Sequence, residues 1–291
     1  MREQSQADGH YDVELRVGEE KVSARKNGCD GYNPSANPAG EACGFCAKWP
    51  THPKRRQGAS GFVIVLPFNE GQELYDIARF DTEPGIWPAV AAWTDWLDAG
   101  RTKLVSEIRP PVYVCPSDKS EPRVKDQATY AMPGGASPTV GSYAMCMGDY
   151  GPPLTSNETS QRIKCDNTGM FLYAISRTLR QVTDGTSNTF EVGEVIEADG
   201  NDNPNVWSTG GRVADSMRTT RYPLNTPHSL GFASTAYPGS KFTGGFGSNH
   251  AGGGNFLYVD GHVSFVSDNV ADVAYNAAAT ISGAEAVEAI Q

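Results

Sequence analysis

Apolar and polar residues alternate on both sides of Asp260-Gly261 in the stretch NFLYVDGHVSFV at 255–266, and this pattern predicts a β-hairpin. Phe256, Tyr258, Val263 and Phe265 stand in the two runs, and the Asp-Gly pair supplies the positive φ angles of a type I′ turn. Tyr11 to Val17 alternates as a strand through Val13, Leu15 and Val17, and Glu19 to Arg25 fits a strand or a short helix. FVIVLPF at 62–68 reads as a buried strand, followed by a helix from about Glu70 to Arg79 with Asn69 as its N-cap. Trp87, Val90, Trp93, Trp96 and Leu97 recur at helical spacing and predict a core-facing helix over 87–99. Val112 to Cys115 is a short strand ended by Pro116 and turned at Ser117-Asp118. Further strands are expected near Tyr143 to Met147 and over Thr189 to Val195, and a last helix from about Val270 to Thr280 packs on the hairpin. The stretches 119–170 and 199–238 read as loops. The sum is an α+β body: an antiparallel sheet with flanking helices and long loops.

Composition narrows the function classes more than the fold. With 291 residues, 38% hydrophobic, the chain can bury a core, and 32 glycines and 19 prolines spread along it favour turns over long helices. The net charge of -10 argues against nucleic acid and against an anionic membrane surface as partners. The longest apolar run, Phe62 to Leu66, is strand-sized and does not span a bilayer.

The stretch from His250 to Gly261 places a histidine nine residues before Asp-Gly. It resembles the H-X9-DG signature of the DUF1559 family, the prepilin-type-processing-associated proteins, with His250, Asp260 and Gly261 as its fixed residues. Four more segments resemble the same family in the same order. They are ELYD at 73–76, VCPSD at 114–118 (with Cys115, Pro116, Ser117 and Asp118), VTDGTSNTFEVGE at 182–194 (with Asp184, Gly185, Thr186, Ser187, Asn188 and Glu194) and RTTRYPLNTP at 218–227. VAYNAAATISGAEAVEA at 273–289 looks like the family's C-terminal helix and tail. Together they cover residues 61–291 as a pilin-like domain and leave 1–60 as a cysteine-containing N-terminal segment.

The resemblance implies a pilin-like or pseudopilin-like subunit carried by an N-terminal hydrophobic helix that a prepilin peptidase trims. This sequence has no Phe-Thr-Leu-Ile-Glu start and no Cys-x-Asn-Asn-Leu-Lys-Gln stretch, and Met1 to Ser5 looks like the polar residues that follow such a helix, so the sequence is expected to begin just after the anchor. The function implied is that of a non-enzymatic structural subunit of a type IV pilus-like or type II secretion pseudopilus-like assembly. It would be periplasmic or cell-surface, membrane-anchored before assembly, partnered by other pilin subunits through that helix, and monomeric without it.

The candidate chemistry is weighed against that expectation. Cys29, Cys43, Cys46, Cys115, Cys146 and Cys165 fall in two clusters of three, so complete pairing requires at least one bridge between the clusters. The rival is zinc held by Cys29, Cys43, Cys46 and His52. His250, Asp260 and His262 invite a metal-dependent hydrolase, but a strand of about five residues, at about 3.3 Å each, separates His250 from the turn. The residues favour a structural His250 at the other end of the hairpin and an exposed His262. Glu191 and Glu194, three apart in a strand, are expected on opposite faces. Asp199, Asn201, Asn203 and Asn205 place oxygens at alternate positions, as a loose calcium site would; no cofactor is expected, with calcium at this loop as the exception weighed. Trp207, Tyr222, Phe232 and Tyr237 either cover a small core or stack on sugar rings, which keeps a carbohydrate- or calcium-binding surface module as the alternative function.

Overall fold

The computed structural model describes residues 11–17, 20–26, 60–78, 105–124, 137–151, 163, 166–172, 177–196, 204–208, 215–233 and 241–283. β1 (Tyr11–Val17) and β2 (Glu20–Lys26) form a two-stranded antiparallel ribbon, so the described part of the second run, from Glu20, is strand. The body is a mixed five-stranded sheet in the order β5-β3-β4-β8-β9, built from β3 (Tyr143–Cys146), β4 (Phe190–Glu194), β5 (Met217–Arg218), β8 (Gly253–Tyr258) and β9 (Val263–Ser267). All neighbours pair antiparallel except β3 with β5, which run parallel. A second small ribbon joins β6 (Phe232–Ala233) to β7 (Lys241–Phe242). Among the described residues no helix is long and apolar enough to cross a membrane.

The strands β3, β4, β8 and β9 give the sheet two apolar faces. On one, Ala144, Cys146, Phe190, Phe256, Tyr258 and Val266 pack with Tyr275, Ala278 and Ala279 of the closing helix α3 (Asp272–Ala277) and the turn after it. Phe190 stacks on Phe256 with ring centroids 4.3 Å apart, and Tyr275 meets both rings edge-on. On the other face, Met145 packs with Phe62, Val63 and Leu66 and with Trp207. Trp207 is fully buried, its Nε1 donating to the Ile108 carbonyl at 2.9 Å, so this aromatic belongs to the core rather than to a sugar platform.

The structure corrects several sequence expectations. FVIVLPF is not a strand: Gly61–Ile64 forms the short helix α1 and Leu66–Phe68 a 3-10 turn. The Ser60 hydroxyl and amide bond the Trp207 and Ser208 carbonyls, and Pro67 has no N–H to give a ladder, so the run coils and buries Phe62, Val63, Ile64 and Leu66. The next helix, α2, spans Gln72–Ala78, and Asn69 reaches Tyr113 Oη at 2.8 Å instead of capping it. Pro111–Tyr113 is a 3-10 turn, since two consecutive prolines, Pro110 and Pro111, cannot enter a ladder. The hairpin turn has one positive φ, at Gly261, not two. Tyr258 and His262 close a three-residue loop, the Tyr258 carbonyl accepting from the Gly261 amide and the Tyr258 amide donating to the His262 carbonyl.

Cys115 and Cys146 are buried free thiols, so the bridges expected at these two positions are not formed. The reason is directional: Cys146 points into the Phe190 and Tyr275 core, where burial pushes its thiol up to about 12, while Cys115 faces polar groups beyond the other face. Cys29, Cys43, Cys46 and Cys165 lie outside the described residues, as do His52, the helix over 87–99, Tyr237, and Asp199, Asn201 and Asn203 of the calcium expectation. Asn205 of that set is fully buried and latches β3, its Nδ2 donating to the Gly141 and Tyr143 carbonyls at 2.8 Å each.

Candidate functional site

The motif residues divide into two groups at opposite ends of the β8–β9 hairpin. At the turn end, the Asp260 amide donates to the Thr186 carbonyl at 3.1 Å and the Val259 amide to the Thr189 carbonyl at 3.0 Å. The Asp184-Gly185-Thr186-Ser187-Asn188 segment is itself a turn closed by the Asn188 amide on the Gly185 carbonyl. Asp184 Oδ2 accepts from Thr280 Oγ1 at 2.9 Å and from the Gly283 amide at 2.7 Å, tying the C-terminal tail to this turn. Ser187 is exposed. His262 stacks on Tyr258 at 4.2 Å and meets Asp260 Oδ1 at 2.6 Å, and its backbone and ring N–H groups hold the Asp260 carboxyl below its ordinary value. This group is a lock between hairpin, turn and tail.

His250 stands at the other end, before Gly253, which pairs with Ser267 at the open end of the hairpin. The ladder between them is about 16 Å long, so His250 forms no cluster with Asp260 and His262. Its Nε2 lies 3.2 Å from Glu194 Oε1, 3.5 Å from Cys115 Sγ and 3.4 Å from Ser117 Oγ. Cys115 Sγ completes the triangle at 3.3 Å from Glu194 Oε1, with Ser117 Oγ 3.0 Å from the sulfur. The expectation of a structural histidine at the far end of the hairpin is right in place, but its partners are side chains from two distant motifs.

Local structure explains the convergence. The turn Cys115-Pro116-Ser117-Asp118 is closed by the Asp118 amide on the Cys115 carbonyl, and Asp118 Oδ2 accepts from Ser142 Oγ at 2.6 Å and from Arg109 at 3.4 Å. Asp118 thus pins the turn to the start of β3. Glu194 ends β4 and is 4% exposed; its Oε2 accepts from the Asn255 amide at 2.8 Å, which directs Oε1 at Cys115 and His250. His250, 38% exposed at its side chain, is set by its amide donating to Ser248 Oγ at 3.1 Å.

Beside the triangle lies a mainly aliphatic cavity of about 720 Å³ over the second face of the sheet, with Met145, Val192, Leu257 and Val263 below and α1 at one side. Cys115, Glu194 and His250 form its polar corner. Arg177 and Glu191 also line it, and neither was singled out for this role by the sequence. A β-bulge between Phe190 and Val192 breaks the alternation of β4, so Glu191 joins Glu194 on the cavity side instead of facing away. Burial pushes the Glu191 carboxyl up to about 7. Arg177 is held by the Gly169 and Asn167 carbonyls. Tyr143 at the same corner is pushed up to about 12, first by burial and then by Cys115 and Glu194, so its phenol stays neutral.

No curated protein and no solved structure matches the chain. The family model SBP_bac_10, described as "Protein of unknown function (DUF1559)", matches residues 38–272, a span that includes the hairpin, the turn at 184–188 and the Cys115, Glu194 and His250 triangle. On that match the chain belongs to the DUF1559 family.

Proposed function

We propose that this chain is the head of a non-enzymatic structural subunit of a type IV pilus-like or type II secretion pseudopilus-like assembly, exposed in the periplasm or at the cell surface. The resemblance of its motifs to prepilin-type-processing-associated proteins supports the reading, and one structural observation carries it: the two faces of the sheet are unequal. The first is closed by α3 and the tail, whereas the second ends in the aliphatic cavity and in Val263 and Phe265, 63% and 44% exposed on the edge strand β9. A head joined to a fibre through an N-terminal helix needs an apolar sheet face to seat that helix, since burying each such side chain contributes about 1.5–3 kcal/mol.

The alternatives have less support. The carbohydrate reading loses Trp207 to the core, the calcium reading loses Asn205 to β3, and the hydrolase reading loses the proximity of His250 to Asp260. The test is to express the whole gene in its host with and without the prepilin peptidase. A membrane-bound precursor that is trimmed only when the peptidase is present, and then recovered in the sheared surface fraction, is expected. A protein that stays untrimmed and cytosolic in both strains overturns the proposal.

A further inference from the structure

We propose that Cys115, Glu194 and His250 form a zinc site, with Sγ, Oε1 and Nε2 as the three protein ligands. The proposal stands independently of the pilus reading. Its first support is the shape of the triangle. A tetrahedral zinc ion with a thiolate at about 2.3 Å, an imidazole at about 2.05 Å and a carboxylate at about 2.0 Å sets ligand-to-ligand separations of about 3.5 Å for S to N, about 3.5 Å for S to O and about 3.3 Å for N to O. The corresponding separations here are 3.5, 3.3 and 3.2 Å. The three side chains are thus already spaced to receive the ion with small adjustments.

Charge gives the second support. Glu194 is 4% exposed, and among the described residues its ion-pair partner is His250, which carries charge only when protonated. A buried carboxylate beside a thiol is costly unless a cation balances it. A dication offsets the carboxylate and the Cys115 thiolate together, the thiol proton being released to solvent as the S–Zn bond forms. The sulfur, imidazole and carboxylate set suits zinc rather than calcium or magnesium, which take oxygen ligands.

The third support lies around the ligands. Asn255 holds Glu194 Oε2 so that Oε1 is presented, and Ser117 Oγ, 3.0 Å from Cys115 Sγ, can donate to the thiolate. Such outer contacts fix ligand direction in metal sites. All three ligands line the aliphatic cavity, so the fourth coordination position opens towards it and takes water.

The test uses the purified full chain under a phosphine reductant, titrated with Co²⁺ as a spectroscopic stand-in and then with Zn²⁺. The expected result is one equivalent of Co²⁺ that produces a sulfur-to-cobalt absorption in the near ultraviolet, is displaced by Zn²⁺, and disappears from the stoichiometry of Cys115→Ser. His250→Ala alters a part-exposed side chain and keeps the fold; it binds that equivalent at least about tenfold more weakly. No cobalt absorption in the wild type overturns the proposal. So does a stoichiometry and affinity unchanged in both variants, because the ion then sits on cysteines elsewhere in the chain.

Discussion

Glu191 owes its environment to a single misplaced residue in a strand. The bulge turns its carboxyl onto the cavity side, and burial raises its pKa from 4.5 to about 7. The folded chain therefore holds a proton there that the unfolded chain releases at lower pH, so this contribution to stability is present in full below about pH 4.5 and is lost as pH rises to about 7. The loss is on the order of 2 kcal/mol once residual solvent contact is allowed for. Urea unfolding across that window should show the decline in the wild type and a flatter profile in Glu191→Gln. An equal decline in both would assign the effect to other groups. At this scale the sequence identified Cys115, Ser117, Asp118, Glu194 and His250 as residues of interest but did not join them, because Glu194 stands 79 positions and His250 135 positions after Cys115.

The hairpin is the element on which both groups of motif residues depend, since it carries the turn lock at one end and follows His250 at the other. Two of its glycines are needed for different reasons. Gly261 has a φ of 94° with open space around the position of a Cβ, so Gly261→Ala costs only backbone strain, about 1–2 kcal/mol. At Gly253 a Cβ would stand 2.0 Å from the Val266 carbonyl oxygen, so Gly253→Ala must break the ladder between β8 and β9 and costs about 3 kcal/mol or more. Chemical denaturation of the two variants should rank them in that order; equal losses would contradict the assigned geometry. β4 and the hairpin were legible because alternation and turn residues agree there, and β3 and α3 form within the spans expected for them. The apolar run at 62–68 was not, because short buried helices and strands share the same composition and the bonds from Ser60 to the Trp207 and Ser208 carbonyls decide between them.

The molecule as a whole is asymmetric across its sheet, with one face sealed by aromatic packing and the other bordered by a cavity and an edge strand that exposes Val263 and Phe265. Because Val263 is largely in solvent and Phe265 about half so, Val263→Ser should change the stability of the chain by no more than about 0.5 kcal/mol and Phe265→Ser by no more than about 1.5 kcal/mol. On the proposed assembly role, the same pair should reduce the amount recovered in the surface fraction. Loss of stability in the isolated head without loss of surface recovery would show that β9 supports the body rather than an assembly contact.

Local pattern alone determined where the chain turns, which segments alternate as strands, and which short motifs stand apart from the background. Alternation at a spacing of two residues and the steric demands of Asp-Gly and Pro are properties of neighbours in sequence, so they can be read without a structure. Tertiary structure alone decided that the histidine and the Asp-Gly of one motif work at opposite ends of a hairpin, that a bulge turns Glu191 onto the side of Glu194, and that a thiol, a carboxylate and an imidazole from three distant segments meet. Those outcomes depend on strand register and on the packing of one layer against another, and neither is encoded in any short window of residues.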